Sequence, residues 1–271
     1  MRAASARLRR VLAGTLLGLI LAYGVIVGGL YAAQRGLIFP APTALADVPP
    51  GYERVSLTTA DGLTLAAAWH APAPGKPALV FFHGNGDSWT GGATAMTALV
   101  DMGYGVLLPE YRGYGTNPGQ PDEQGFYNDG RAALDWLTAH GIAARSVVLV
   151  GNSIGGGTAT QLAAETPVAG LILISPFASL PDLVAEKFRW LPGRWLVRDR
   201  FDNAAKLGRV TAPVLVLHGL ADTMIPPAHA RRLAQAQPRA ALVLVPGADH
   251  DLAYLPTAQQ AEAAWLEQIL P

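Results

Sequence analysis

Short apolar runs alternate with longer amphipathic stretches over most of this chain. Continuous apolar runs are typical of strands that are buried on both faces, and they occupy residues 78–82, 103–109, 147–150, 170–175, 214–218 and 241–245. Helical patterns separate most of these runs, at residues 92–102, 124–140, 156–164, 227–237 and 257–270. Strands that alternate with helices in this way predict a mostly parallel sheet.

A different pattern precedes the first of these runs. Residues 53–59 and 63–70 alternate polar and apolar positions on either side of Asp61-Gly62, which predicts an antiparallel hairpin at the sheet edge. Together the runs predict an α/β fold with a mostly parallel eight-stranded sheet flanked by helices. The excursion at about 176–208, after the sixth strand, predicts a small helical cap.

The N-terminal region has a third pattern. Residues 11–33 carry no charge, and at about 1.5 Å per residue such a helix crosses a hydrocarbon core of roughly 30 Å. Four arginines lie in residues 1–10, whereas only Arg35 follows closely. The positive-inside rule therefore predicts a single transmembrane anchor with a cytoplasmic N-terminus and an extracytoplasmic domain, periplasmic if the protein is bacterial.

The apolar N-terminal segment has one alternative interpretation, as a cleaved signal peptide. A cleaved signal peptide is possible in principle, because Ala32 and Ala33 are small, but apolar signal segments run to only about 7–15 residues. The anchor also contains GxxxG patterns that can let two helices pack closely, and the oligomeric state stays open. Residues 34–51 are interpreted as a linker, and residues 52–271 as one α/β domain that includes the cap.

Composition narrows the class of protein. The 271 residues include 20 basic and 20 acidic side chains, and no basic stripe is evident, which argues against a nucleic-acid partner. There is no cysteine, so a thiol nucleophile, disulfides and cysteine-bound metals are excluded. Nothing in the sequence implies a cofactor or a metal.

The chemistry centres on Ser153. Residues 151–155 spell G-x-S-x-G between a predicted strand and a predicted helix, which is the context of a nucleophile elbow. Gly151 and Gly155 are small enough for the strand and helix to approach each other at a sharp turn. The start of the helix also directs backbone N–H groups toward negative charge that develops beside the serine.

An activated serine needs a histidine, and the histidine needs an orienting carboxylate. Asp222 and His250 follow Ser153 in the order serine, acid, histidine, each in a loop just after a strand. Asp249 and Asp251 flank His250, but sequence neighbours rarely face the same imidazole nitrogen. Of the other histidines, His83 and His218 are expected to make structural hydrogen bonds, and the rest are expected at the surface: His70, His140 and His229.

An oxyanion hole requires two donors. The N–H of Ile154 follows the nucleophile, and the second donor is expected from Asn85, through its backbone with or without its side chain. A loop that merely turns the chain is the alternative at Asn85. Arg112 is expected to tie loops together. Whether the aromatic and leucine cluster at residues 188–196 contacts acyl chains, contacts the bilayer or forms core stays open.

These residues resemble the membrane-anchored α/β-hydrolase-domain serine hydrolases of the Bem type, which are close to the proline-aminopeptidase-like hydrolases. The resemblance covers essentially the whole domain. It rests on the motifs Phe82-His83-Gly84-Asn85-Gly86, Tyr111-Arg112-Gly113-Tyr114-Gly115, Gly151-Asn152-Ser153-Ile154-Gly155-Gly156, Ser175-Pro176-Phe177, Leu191-Pro192, Arg198-Asp199-Arg200-Phe201-Asp202, His218-Gly219 through Asp222, Ile225-Pro226 and His250. Glu110 and Thr116 depart from the usual aspartate and serine of the family.

The resemblance implies a Ser153, Asp222, His250 triad and an α/β-hydrolase fold. The expected function is cleavage of a carboxylic ester or thioester of a small-molecule or lipid-like acyl substrate, through an acyl-enzyme. A serine peptidase or amidase would share every triad residue. A tethered binding protein without activity is a further alternative, although such a scaffold would not be expected to retain serine, acid and histidine together.

Overall fold

Eight strands form one sheet in the order β1-β2-β4-β3-β5-β6-β7-β8. The computed structural model describes residues 2–44 and 46–270. The strands are β1 (Glu53–Thr58), β2 (Thr64–His70), β3 (Ala78–Phe82), β4 (Gly105–Pro109), β5 (Val147–Asn152), β6 (Gly170–Ile174), β7 (Val214–Gly219) and β8 (Ala241–Val245). The hairpin of β1 and β2 is antiparallel and β2 pairs antiparallel with β4, whereas every other pairing is parallel. The predicted α/β-hydrolase sheet is confirmed.

Ten α-helices accompany the sheet in the described residues. They are α1 (Arg2–Ile38), α2 (Trp89–Ala95), α3 (Thr97–Asp101), α4 (Glu123–Ala139), α5 (Gly155–Glu165), α6 (Leu180–Lys187), α7 (Gly193–Leu196), α8 (Asn203–Leu207), α9 (Ala228–Ala236) and α10 (Pro256–Ile269). The helix predicted at 92–102 is two short helices that meet at Met96. The short helices α6, α7 and α8 form the predicted cap.

The core has two layers because the strands are buried on both faces. Val80, Phe82 and Leu149 pack on one side of the sheet, while Phe81 and Val150 pack on the other. Alternate residues of a strand point to opposite faces, so a continuous apolar run serves both layers at once. The carboxyl ends of the parallel strands therefore form one edge with rigid support beneath it.

The helix α1 is longer than the sequence predicted. It continues past Ala33 to Ile38, and Phe39 then packs in the core against Phe126 and Phe201. Pro40 explains where the helix ends, since a proline disfavours helical geometry in the residue before it. Residues 34–39 are thus part of the folded structure rather than a linker.

Ala6–Ile38 is long and apolar enough to cross a membrane, with a mean hydropathy of 2.3 in its apolar window. This makes α1 a candidate membrane anchor. Its side chains Leu16, Leu17 and Leu21 are exposed, as expected for a helix that is covered by lipid rather than by protein.

One acidic side chain in α10 is buried, although carboxylates are rarely buried unless they are paired. Glu262 is fully buried, and neither of its carboxylate oxygens has a hydrogen-bond partner in the described part of the chain. Burial raises the pKa of the Glu262 carboxyl well above its ordinary value. The group is therefore held in its neutral, protonated form.

Candidate active site

Ser153 lies on a sharp turn between β5 and α5. Its φ of 53° is left-handed, which is unfavourable for a residue with a side chain. A Cβ atom on Gly155 would lie 2.1 Å from the carbonyl oxygen of Phe82, and one on Gly151 would lie 2.5 Å from the Cα atom of Gly156. Only glycine fits at both positions, and this close packing positions the serine at the carboxyl edge of the sheet.

His250 and Asp222 lie beside Ser153. The Ser153 hydroxyl is 3.1 Å from Nε2 of His250, and Nδ1 of His250 is 2.8 Å from Oδ2 of Asp222. The three side chains come from the loops after β5, β7 and β8. The structure therefore brings His250 together with Ser153, 97 positions before it in the chain, and with Asp222, 28 positions before it.

Asp222 is buried and surrounded by donors. Its Oδ1 accepts hydrogen bonds from the backbone N–H groups of Met224, at 2.9 Å, and Ile225, at 2.7 Å. Burial opposes ionisation, but hydrogen bonds from His218, His250 and Ile225 outweigh it and hold the pKa of Asp222 well below its usual range. The ionised carboxylate accepts the Nδ1–H of His250, which leaves Nε2 free to accept the serine proton.

The loop that carries His250 depends on Gly219, to which the sequence analysis assigned no structural role. A Cβ atom on Gly219, at the end of β7, would lie 2.2 Å from the carbonyl oxygen of Ala248. The backbone N–H of Ala221 donates to that same oxygen at 3.0 Å. The dipeptide His218-Gly219 was the available signal, since glycine at a strand end permits the close approach of another backbone.

The neighbouring acid Asp249 has a different role from Asp222. Its Oδ1 accepts hydrogen bonds from the backbone N–H groups of Thr223, at 2.9 Å, and His250, at 2.8 Å. These bonds connect the loop after β7 to the loop after β8. Asp249 therefore fixes the loops, while Asp222 is the carboxylate that contacts the imidazole.

The loop after β3 passes directly against the serine. A Cβ atom on Gly84 would lie 3.7 Å from Cβ of Ser153. The side chain of Asn85 is already occupied, because its Nδ2 donates to the carbonyl of Ile38 and its Oδ1 accepts from the Tyr114 hydroxyl at 2.6 Å. Side-chain help from Asn85 in an oxyanion hole is thus not supported, and its backbone N–H is the candidate donor beside that of Ile154.

His83 stabilises this loop through a hydrogen bond to its backbone. Its Nδ1–H donates to the carbonyl of Gly84 at 2.8 Å, and its Nε2 lies 3.0 Å from Oε1 of Glu110. Burial opposes protonation of the ring, but the hydrogen bond and charge of Glu110 outweigh it and raise the pKa of His83. The hydroxyl of Tyr111 also donates to the carbonyl of His83 at 3.1 Å. The glutamate that departs from the family pattern therefore helps to position the loop beside Ser153.

His218 and Arg112 make the contacts that the sequence predicts for them. His218 Nε2 donates to the carbonyl of Ile225 at 2.8 Å, which is a structural hydrogen bond as expected. Arg112 joins the β1–β2 turn to α4, at 2.7 Å from both Asp61 and Asp129, so it ties loops together as predicted. Burial, countered only in part by Arg112, raises the pKa of Asp129 to about 6.

The prediction that His229 lies at the surface is wrong. The side chain is buried between α9 and the cap, where Nδ1 accepts the N–H of Ala178 at 3.0 Å and Nε2 lies 3.1 Å from Glu186. Burial lowers the pKa of His229. The polar face of α9 suggested solvent, but the loop after β6 folds over it and supplies a backbone donor.

The helix α1 makes polar contacts with the cap. The hydroxyl of Tyr23 donates to the carbonyl of Trp190 at 2.8 Å, and the side chain of Gln34 accepts the N–H of Arg198 at 2.9 Å. On the cap, Phe188 is 49%, Trp190 54% and Trp195 84% exposed, so these aromatics are not core. Two interpretations of the cluster at residues 188–196 therefore remain, namely contact with acyl chains and contact with the bilayer.

Comparisons with known proteins agree with this fold. The sequence model of the "Alpha/beta hydrolase family" matches residues 79–205, and that of "TAP-like protein" matches residues 193–268. The chain is 37% identical over 242 residues to an uncharacterized protein of Mycobacterium tuberculosis, which covers 86% of this chain and 85% of the relative. It is 30% identical over 227 residues to protein bem46 of Schizosaccharomyces pombe, covering 75% of this chain and 74% of the relative.

A third relative and two solved structures extend these findings. The lysophosphatidylserine lipase ABHD12 of Danio rerio is 30% identical over 170 residues, which are 55% of this chain and 44% of that protein. An esterase of Pyrococcus furiosus superposes with a TM-score of 0.69 at 18% identity, over 85% of this chain and 97% of the esterase. A bacterial membrane phospholipase A superposes with a TM-score of 0.63 at 20% identity, over 96% and 99%. At such identities the two structures show a shared fold.

Proposed function

Because the chain belongs to the alpha/beta hydrolase family, in the branch that includes protein bem46, we propose that it is a membrane-anchored serine hydrolase of carboxylic esters or thioesters. The observation that carries the proposal is the hydrogen-bonded series from Ser153 Oγ through His250 to Asp222, with separations of 3.1 and 2.8 Å. A serine, a base and an orienting acid in this geometry are the requirements for acyl transfer.

The first half of the reaction forms an acyl-enzyme. Oγ of Ser153 attacks the acyl carbonyl carbon while Nε2 of His250 accepts the hydroxyl proton. Asp222 remains ionised and stabilises the imidazolium through Nδ1–H. The tetrahedral intermediate collapses when its bond to the leaving oxygen or sulfur breaks, and the proton on Nε2 passes to that leaving atom.

The second half releases the acid. Water attacks the acyl carbon, its proton passes to Nε2 of His250, and the bond to Oγ of Ser153 breaks with return of that proton to the serine. In both halves the oxyanion accepts hydrogen bonds from the backbone N–H groups of Ile154 and Asn85. Losing one such donor typically lowers turnover by about two to three powers of ten.

The relatives favour esters of lipid-like acyl groups over peptides. One relative is named a lysophosphatidylserine lipase, and one structural neighbour is a membrane phospholipase A. The candidate anchor α1 would keep the domain beside a bilayer, where such substrates reside. We propose that the N-terminus is cytoplasmic and the domain lies on the opposite side, because the arginines precede the apolar segment.

A substrate panel tests the proposed reaction. The full chain in detergent is assayed against p-nitrophenyl esters of two to sixteen carbons, the matching thioesters and aminoacyl amides. Ester or thioester turnover is expected, with a fall of about four to six powers of ten in Ser153→Ala and none in Ser56→Ala, whose serine is exposed on β1. Turnover of amides alone would instead identify an amidase.

A further inference from the structure

A groove of about 420 Å³ lies between α1 and the cap. It is defined by Val27, Leu30 and Ile38 of α1 and by Phe188, Leu191 and Leu196 of the cap. Gln34 also lines it, but its amide is engaged by the backbone of Leu196 and Arg198. The walls are therefore apolar, and the volume falls within the roughly 300–1,000 Å³ of small-molecule sites.

The outer end of the groove lies at the depth of lipid chains. The last arginine before the apolar segment is Arg10, and the about 20 residues that cross a hydrocarbon core would reach from Val11 to Leu30. The bond from Tyr23 to the carbonyl of Trp190 therefore holds the tip of the cap beside a residue within the span. Exposed tryptophans are typical of segments that contact a membrane, and Trp190 and Trp195 are both exposed.

The inner end of the groove leads toward the serine. Ile38 lines the groove, and its carbonyl accepts the hydrogen bond from the side chain of Asn85. The next residue back, Gly84, lies against Ser153, because a Cβ atom on it would be 3.7 Å from Cβ of the serine. The inner end of the groove at Ile38 is thus two residue contacts, through Asn85 and Gly84, from the nucleophile.

We infer that the groove binds the acyl chain of a bilayer lipid whose ester bond is presented to Ser153, an inference that rests on the proposed function. The lipid remains in the leaflet on the domain side while its chain lies between α1 and the cap. The chain exchanges one apolar surrounding for another, so its transfer into the groove requires little loss of hydrophobic burial.

A second copy of α1 that packs through Gly14 and Gly18 does not occupy this groove. At 100° per residue, these two glycines lie on the face of α1 opposite Val27 and Leu30. No atom lies within 4 Å of a Cβ built on those glycines. Helix dimerisation through Gly14 and Gly18 would leave the groove unoccupied.

The first experiment measures occupancy without catalysis. The Ser153→Ala protein is placed in nanodiscs that contain a phosphatidylcholine with a diazirine-labelled palmitoyl chain, and the crosslinked peptides are identified by mass spectrometry. Crosslinks are expected in the peptides of Leu30 and Leu191, with a loss of at least fivefold in Leu30→Trp. Val25→Trp, on the opposite and exposed face of α1, is the matched control and should retain them.

The second experiment measures the effect on turnover in the otherwise wild-type chain. Leu30→Trp, and Leu30→Phe as a milder change, should lower kcat/KM for a sixteen-carbon ester about tenfold more than for an acetyl ester, whereas Val25→Trp should leave both unchanged. Equal losses for both esters, unchanged long-chain turnover, or crosslinks in the groove to a second copy of the chain would each overturn the inference. Groove crosslinks together with no ester turnover by the wild type would reject the proposed function and leave the lipid site standing.

Discussion

The side chain of Asn85 donates a hydrogen bond to the carbonyl of Ile38, the last residue of α1. Asn85 belongs to the loop beside Ser153, so the end of the candidate membrane anchor is bonded directly to the proposed oxyanion hole. The candidate anchor is therefore bonded to the candidate active site, rather than joined to the domain only through a free linker.

This contact predicts a positioning role for the Asn85 side chain. In Asn85→Ala the backbone donor remains but its loop loses the bonds to Ile38 and Tyr114, so kcat should fall by about tenfold with little change in KM. Initial-rate kinetics of the full chain measure both constants. Asn128→Ala, at a polar position on α4, is the control and should retain wild-type kinetics; an unchanged kcat in Asn85→Ala would remove the positioning role.

Replacing each of the two acids beside His250 should lower turnover by very different amounts. In Asp222→Asn the amide oxygen keeps the bonds from the N–H groups of Met224 and Ile225, so the amide NH2 faces Nδ1 of His250. That donor favours the unproductive imidazole tautomer, and turnover should fall by about four powers of ten. Asp249→Asn disturbs only a loop contact and should cost less than tenfold. Steady-state ester hydrolysis by both variants makes the comparison, and equal losses would mean that the acid is assigned wrongly.

Glu262 predicts a pH dependence of stability. Its folded-state pKa lies above the unfolded value of about 4.3. The free energy of unfolding is therefore highest below that pH. It falls as the pH rises toward the folded pKa, because the unfolded chain releases the proton that the folded protein retains. Glu262→Gln removes this titration, so its melting temperature should exceed that of the wild type by an increasing margin from pH 4 to pH 8.

Thermal unfolding of both proteins in the same detergent, at several pH values, checks this expectation. The advantage of the variant should grow by at most about 1.4 kcal/mol for each pH unit above the unfolded pKa, because the unfolded chain releases a proton that the folded carboxyl retains. A difference between the two proteins that does not vary with pH would show that Glu262 does not titrate between folded and unfolded states.

Topology can be tested cleanly because the chain has no cysteine. Single cysteines are introduced as Ala6→Cys, before the apolar segment, and Ser56→Cys, on the exposed face of β1. A maleimide that does not cross membranes should label only Ser56→Cys in intact cells, whereas both should react after detergent is added. Labelling of Ala6→Cys alone in intact cells would reverse the proposed orientation.

Much of the fold was predictable because the relevant signals are local. The strand β5 is a continuous apolar run, and the turn at Ser153 is marked by Gly151 and Gly155, since no other residue fits there. The proximity of Asp222 and His250 to Ser153 could be predicted because their order after the serine and their positions after strands restrict the choice. Residue type and spacing together carry this information.

The remaining features depend on long-range packing. Nothing in the pattern around Tyr23 or Gln34 indicates that α1 packs against a cap more than 160 residues later. His229 lies on a helix with a polar sequence, and its burial arises from a loop that follows a different strand. The side-chain bonds of Asn85 depend in turn on where α1 ends. Such contacts require three-dimensional proximity that a single sequence does not encode in its periodicity.

The central claim is that Ser153 is an activated nucleophile. Purified full-length protein is treated with a fluorophosphonate probe, and labelling of the wild type is compared with that of Ser153→Ala and His250→Ala. The account predicts rapid labelling of the wild type, none of Ser153→Ala, and labelling slowed by several powers of ten in His250→Ala. A folded wild type that is not labelled, or a Ser153→Ala protein labelled as fast as wild type, would contradict it.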